Sequence, residues 1–443
     1  MNSTTSPTIR IWQQNINKSL ISQLHLLNAA SPDNFNIILL QEPWFSHTKN
    51  TRSSHCWWVL YPNTHYADTT KPLRSIIFIN TNIPTNSYVQ IQFNSPDVTG
   101  VQITFDLQTV LIINVYNDCK NNDAIDEVST FLSQKFPSEQ VPCNMHIILA
   151  GDFNRHHSLW EDERNAHLTS SEAALRPLLE IVDTFDLRMA LPPRIPTLQA
   201  LSTGNWTRPD NVWCTNHTTD LFTKCDTNPG LRGPNTDHLP ILSSLDVPLP
   251  RNPPRTHPNF RATDWKESND QLHTLLSDHP APTTLKTAQQ FRTALNAVNT
   301  SIKTAIEVTV PIPKAIPHTK RWWSKNLSAL RKVKNRLANT AHRWQGLPTH
   351  PCHQQHKETT KKYAALIERT KKEHWEDWLT NASEKDIWTA NKYATDPPTD
   401  GSRTRMPTLN FIDQEGVPRC TTSNAEKSEA LAKSFSPPLP ITP

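Results

Sequence analysis

The chain has 443 residues, enough for two or three domains, and a formal net charge of +4. A hydrophobic fraction of 36%, a mean hydropathy of −0.59 and 37 Pro against 8 Gly leave part of it outside any core and give many turns to Asn, Ser and Thr. The seven cysteines are scattered without a Cys-x-x-Cys pair, no apolar run approaches the ~20 residues of a membrane helix, and Met1–Arg10 lacks a signal-peptide core; a disulfide framework, a zinc site and a membrane span are therefore not expected, and a reducing, intracellular location is.

In chain order, short apolar runs predict strands at Ile9–Gln14, Ile37–Gln41, Trp57–Tyr61, Ser75–Asn80, Val89–Phe93, Val101–Phe105, Val110–Tyr116, His146–Ala150, Asp210–Cys214 and Leu239–Leu245. Several are apolar at nearly every position, as strands buried on both faces are. Helices are predicted at Leu20–Ala29, Ala124–Gln134 and Ser170–Phe185, the last opening on a capping box, Thr169-x-x-Glu172. Together they predict an α/β fold: a four-layered sandwich over residues 8–248, with two packed sheets flanked by helices. A Pro-rich linker over 249–262 follows, then a basic helical connector over 263–394 with helices at Thr284–Val308, Trp322–Trp344 and His356–Leu379. The polar, Pro- and Thr-rich remainder, 395–443, reads as a low-structure, partly disordered tail.

Charge divides with the elements. Residues 1–250 hold 16 Lys/Arg and 23 Asp/Glu, a net of −7; residues 251–443 hold 29 and 18, a net of +11. The basic run Lys320, Arg321, Lys325, Arg331, Lys332, Lys334, Arg336 and Arg343 contains no acidic residue between Thr319 and Gln345, and Trp322, Trp323 and Trp344 flank it. It fits a surface for phosphates and, equally, a solvated helix packed through Leu327, Leu330, Leu337 and Ala341.

Chemistry-bearing residues stand where buried strands end. Asn15, Glu42 and Tyr116 close or follow strands, and Asp152 and Asn154 follow HIILAG. Asp210 and His238 instead begin strands. If those two strands run antiparallel to the rest, all seven groups gather at one edge. Carboxylates, amides and an imidazole at one edge suit a hard cation and phosphate chemistry.

The segments QNIN (14–17), QEPW (41–44), NVY (114–116), GDFN (151–154), RPDNVW (208–213) and TDHLPI (236–241) resemble, in order, the motif series of the endonuclease/exonuclease/phosphatase superfamily. The longer form GDFNRHHSLW (151–160) resembles most the endonuclease domain of non-LTR retrotransposon polyproteins. The resemblance implies a Mg²⁺-dependent DNA endonuclease, with Mn²⁺ as a substitute, that nicks its target strand and leaves a 3′-hydroxyl. It implies Glu42, Asn15 and Asp237 at the metal. It implies catalytic roles for Asp152 (water or leaving-group proton), Asn154 (orientation), Tyr116 (scissile phosphate), Asp210 (partner of the imidazole) and His238 (base or charge stabiliser). Thr197, Thr236, Arg155 and His156 are implied at the substrate. Two departures are Asn117-Asp118 after Tyr116 and Arg155 after GDFN. The basic region resembles the connector that precedes reverse transcriptase in such polyproteins, with element RNA as a second partner. With no Asp-Asp polymerase signature, the chain is similar to an N-terminal fragment of one. Action on chromosomal DNA would place it in the nucleus; target sequence and oligomeric state stay open. Alternatives are a phosphatase of the superfamily and a non-catalytic relic that binds nucleic acid. Two Asp-His pairs compete for the catalytic role, Asp237-His238 and Asp278-His279. Only the first leads into a strand, and it is the one expected to act.

Overall fold

The computed structural model describes residues 8–47, 49–65, 72–105, 107–249, 258–279, 284–311, 322–395, 409–412, 418–421 and 424–435. In chain order the elements up to residue 245 are β1 (Ile9–Asn15), α1 (Leu20–Ala29), β2 (Ile37–Gln41), β3 (Trp57–Leu60), β4 (Ser75–Asn80), β5 (Tyr88–Ile91), β6 (Val98–Phe105), β7 (Gln108–Tyr116), α2 (Asp123–Lys135), β8 (Met145–Asp152), α3 (Glu172–Thr184), β9 (Leu187–Met189), β10 (Leu198–Gln199), β11 (Trp206–Thr207), β12 (Asp210–Thr215), β13 (Phe222–Thr227) and β14 (Ile241–Leu245). Beyond them come α4 (Trp265–Ser277), α5 (Ala288–Thr309), α6 (Lys325–Arg343), α7 (Pro351–Thr380), α8 (Glu384–Thr395), a short hairpin of β15 (Asn410–Ile412) and β16 (Pro418–Cys420), and α9 (Asn424–Phe435).

Two six-stranded mixed sheets form, in the orders β13-β14-β1-β2-β4-β3 and β5-β6-β7-β8-β12-β9. Period-2 alternation explains their apolar runs. Ile9, Ile11, Ile37 and Leu39 of one sheet meet Val110, Ile112, Ile148, Ala150 and Val212 of the other. The alternate residues Trp12, Ile38 and Leu40 pack outward with Leu26 of α1. Leu111, Ile113, Ile147 and Leu149 pack outward with Val128 and Leu132 of α2 and Leu178 and Ile181 of α3. The result is the expected four-layered sandwich.

Details differ from the sequence expectation. β5 ends two residues before the expected Phe93, and β9, β13 and the β10–β11 hairpin were not foreseen, being short or half-polar. The expected capping box at Thr169 does not form: α3 is capped at Ser171, without a side-chain hydrogen bond. A capping box does form at Thr287 and Gln290 of α5. Of the expected linker, residues 250–257 lie outside the described residues, and Phe260–Ala262 is a short 3-10 turn. The tail expected to lack structure carries β15, β16 and α9 among its described residues.

The chain divides into two compact units, one of residues 1–251 with 321–443 and one of 252–320. The helical region is thereby split, α4 and α5 in the second unit, α6 and α7 with the sandwich. α6 and α7 pack together through Leu327, Leu330, Tyr363, Ile367, Trp322 and Trp323. They also meet the sandwich. Nζ of Lys334 donates to the Arg232 carbonyl at 2.5 Å, and the His342 ring lies edge-on to Trp206 at 5.5 Å.

Candidate active site

The site follows from strand direction. β1 and β2 are parallel, with Asn15 beside Gln41; β7 and β8 are parallel, with Tyr116 beside Asp152. β12 runs antiparallel to β8, and β14 antiparallel to β1. Asp210, which begins β12, is thus the direct neighbour of Asp152, which ends β8. Direct cross-strand neighbours share a face. The inner-facing series Ile148, Ala150, Asp152 and Val212, Asp210 both turn from apolar to acidic at this edge.

Two sheets meet through these groups. Nδ2 of Asn15 donates to Oδ2 of Asp152 at 2.9 Å. The His238 imidazole joins Oδ2 of Asp210 through Nδ1 at 2.8 Å, leaving Nε2 3.8 Å from Asp152 and 3.9 Å from Asp237. Thr197 Oγ1 donates to Asp210 at 2.7 Å, and Thr236 Oγ1 donates to the Asn15 carbonyl at 2.8 Å while receiving the His238 amide at 3.3 Å. Both hydroxyls are buried and hold Asp210, Asn15 and His238 in place.

Burial and the neighbouring Asp210 carboxylate push the Asp152 carboxyl well above the usual carboxylate range. Burial alone would lower the His238 imidazole, but Asp210 and Asp152 outweigh it and hold the imidazole charged well above neutrality. Burial and the charges of Glu42 and Asp152 raise the Tyr116 hydroxyl, which places those two carboxylates in its electrostatic reach.

The backbone at GDFN is specific. Gly151 has φ +153°, and a Cβ there would lie 1.9 Å from the Val115 carbonyl oxygen. Asn154 is left-handed at φ +49°; its amide N–H donates to Asp152 Oδ1 and its Nδ2 to the Asn117 carbonyl. Glu42 is also left-handed, at φ +45°, and pairs with Lys18 at 3.1 Å.

Arg155 and His156 go elsewhere. The Arg155 guanidinium is buried and donates to the carbonyls of Ala174, Asp118, Asn154 and Asn121 and to Oδ1 of Asn122. So placed, it fastens the loop after Asp152. His156 Nδ1 meets Glu161 Oε1 at 2.5 Å, and Glu161 also receives the Arg208 amide and Asn165 Nδ2.

Sequence reading missed a layer of amides just below the site. Gln13 Nε2 donates to Asp210 Oδ1 and to Gln41; Gln41 donates to Asn114; Asn114 donates to the carbonyls of Leu40 and Ile76. Their signal was their parity with Ile11, Leu39 and Ile112. Arg74 was missed as well. It chelates Asp97, pairs with Asp118 and lies 4.8 Å over the Tyr116 ring. The Asp118 departure thus helps seat the tyrosine.

Ligand atoms of Asp152, Asp210 and His238 lie within 4.8 Å of one another and could hold a metal ion; the two buried, mutually repelling carboxylates offer its oxygen donors, while the charged imidazole offers none until it loses its proton. His279, next to the C-cap of α4, belongs to the other compact unit.

The family described as endonuclease-reverse transcriptase matches residues 110–242, from β7 through the start of β14. The resemblance to the endonuclease/exonuclease/phosphatase superfamily is thereby borne out. The endonuclease domain of TRAS1, a telomere-specific non-LTR retrotransposon, aligns at 16% identity over 54% of this chain and 99% of its own, with TM-score 0.43. An AP endonuclease from Leishmania major aligns at 10% over 56% and 89%, TM-score 0.44, and a 3′ phosphatase from Neisseria bound to product DNA hairpin at 13% over 54% and 100%, TM-score 0.42. No curated protein matches. Among the described residues no helix is long and apolar enough to cross a membrane.

Proposed function

We propose that this endonuclease/exonuclease/phosphatase-type domain is a Mg²⁺-dependent DNA endonuclease, able to use Mn²⁺, that nicks one strand and leaves a 3′-hydroxyl. The observation that carries the reading is the chain Thr197–Asp210–His238, set against Asp152 and Asn15 across the two sheets. Asp210 fixes the imidazole so that Nε2 is the atom facing Asp152. The charged imidazole stabilises negative charge that grows on a phosphate oxygen. The Asp152 carboxylate, whose raised proton affinity suits it to that role near neutrality, accepts a proton from the water that attacks phosphorus; as the P–O3′ bond breaks, the leaving 3′-oxygen takes a proton from solvent. Asn154 is held by Asn117 where it can orient that water, and Tyr116, seated by Arg74, approaches the scissile phosphate. Glu42, Asn15 and Asp237 would hold the cation, beside Asp152. When bound, it neutralises phosphate charge and lowers the pKa of a water.

The test is nicking of supercoiled plasmid by the full chain with Mg²⁺ and with EDTA, followed by polymerase extension from the nick. Extension without prior end repair is expected. Nicking that persists in EDTA contradicts the metal requirement, and ends that need phosphatase treatment contradict the 3′-hydroxyl.

A further inference from the structure

Two helices of the hairpin differ in charge design. α7 carries six Lys/Arg and five Asp/Glu, and pairs such as Arg369–Glu373 and Lys372–Glu376 neutralise its surface. α6 carries six Lys/Arg and no acidic residue. Its buried positions are Leu327, Lys334, Ala338 and Ala341. At 100° per residue these lie on one side, docked on α7 and on the Arg232 loop. Lys325, Lys332, Arg336 and Arg343 fall on the opposite side, and all four are exposed. Among the described residues none of the four has a carboxylate partner.

A solvated helix normally mixes signs, as α7 does. Four unpaired cations in one line along about 27 Å of helix repel one another, and a polyanion relieves that repulsion. The helix is anchored by Lys334 to the loop that leads from Arg232 to Asp237 and His238, so the line is held to the catalytic unit. We propose that the outer face of α6 is a phosphate-binding rail for the DNA duplex flanking the cleavage site, with Lys325, Lys332, Arg336 and Arg343 as its contacts. It rests on the nuclease reading for its substrate. The rail supplies affinity without sequence selection and takes no part in the chemistry.

The experiment compares the full chain with two variants that each lose four positive charges. One converts Lys325, Lys332, Arg336 and Arg343 to Gln. The control converts Arg176, Lys303, Arg369 and Lys372 to Gln, all exposed and each paired to an acid four residues on. Binding to a fluorescent duplex is measured by anisotropy across a salt series, and nicking is followed in parallel. The rail variant is expected to lose about 3 to 4 from the slope of log K against log salt, one counterion per lost phosphate contact, while the control stays near wild type. Its KM for plasmid should rise and its kcat should not. Equal slopes for both variants overturn the proposal, as does rail dependence for a folded RNA with none for DNA. A wild type that binds through the rail and never nicks overturns the nuclease reading and leaves the rail standing.

Discussion

One loop, Arg232 to His238, joins two buried clusters of opposite sign. At its far end Asp152 and Asp210 surround a single imidazole; burial and mutual repulsion raise the Asp152 carboxyl, and His238 stays charged. At its near end Arg232, Lys334 and His356 crowd together where α6 and α7 dock. Burial, then Arg232 and Arg331, pull Lys334 down to about 7; burial, then Arg232 and Lys334, pull His356 down to about 3. The acidic cluster sets directed partners against its repulsion, Asn15 on Asp152 and Gln13, Thr197 and His238 on Asp210. In the basic cluster Lys334 and His356 shed charge: the lysine has one backbone carbonyl and, among the described residues, no carboxylate beside it. A site built for charge chemistry supplies counter-groups, whereas a junction built for packing tolerates a cation by letting it deprotonate.

Breaking the acidic end should cost most. Asp152→Asn and Glu42→Gln are each expected to lower nicking by about 1,000-fold or more, roughly 4 kcal/mol of barrier, with the circular dichroism spectrum unchanged. Retained activity in either removes that residue from the site. Gly151→Ala should follow, because its Cβ collides with the Val115 carbonyl on the neighbouring strand. A loss above about 3 kcal/mol in urea unfolding is expected; a loss under ~1 kcal/mol would show that β7 and β8 can part cheaply.

Arg155→Ala sharpens the line between holding and binding. Five acceptors lose their donor, so about 2 kcal/mol of stability should go, while the salt slope of DNA binding stays put. A flatter salt slope would instead mean that Arg155 reaches phosphate. At the basic end Lys334→Met tests charge directly. The folded lysine is held below its unfolded value, so the folded state binds fewer protons between pH 7 and about 10.5 and wild-type stability should rise with pH there. The slope is at most about 1.4 kcal/mol per pH unit. Lys334→Met should lack that rise; parallel melting profiles for the two proteins would contradict it.

Much of this was legible in the sequence. Short, nearly continuous apolar runs marked the buried strands, and polar residues at their ends marked the edge. Asp210 and His238 reach the edge from the opposite direction: Asp210 begins β12 and His238 lies three residues before β14, and both strands run antiparallel to their neighbours as the expectation required. The amide layer of Gln13, Gln41 and Asn114 was hidden because a buried amide in a strand looks like an interruption until its inward parity is noticed. The inward anchoring of Arg155 and the His156–Glu161 contact were hidden because a loop has no period to say which way a side chain turns. Lys334 read as part of the basic run, as suited to phosphates as to solvent. Its burial depends on Arg232, 102 residues earlier, and no local pattern encodes that contact.

The most direct test of the account sets the two Asp-His pairs side by side. His238 is held by Asp210 at the sheet edge, and His279 follows α4 in the other compact unit. Plasmid nicking in Mg²⁺ is measured for wild type, His238→Ala and His279→Ala at matched concentrations. The account predicts that His238→Ala removes activity by about 1,000-fold or more, the size of a lost catalytic group, and that His279→Ala nicks like wild type. Activity that survives in His238→Ala and disappears in His279→Ala would contradict the placement of the active site at this edge.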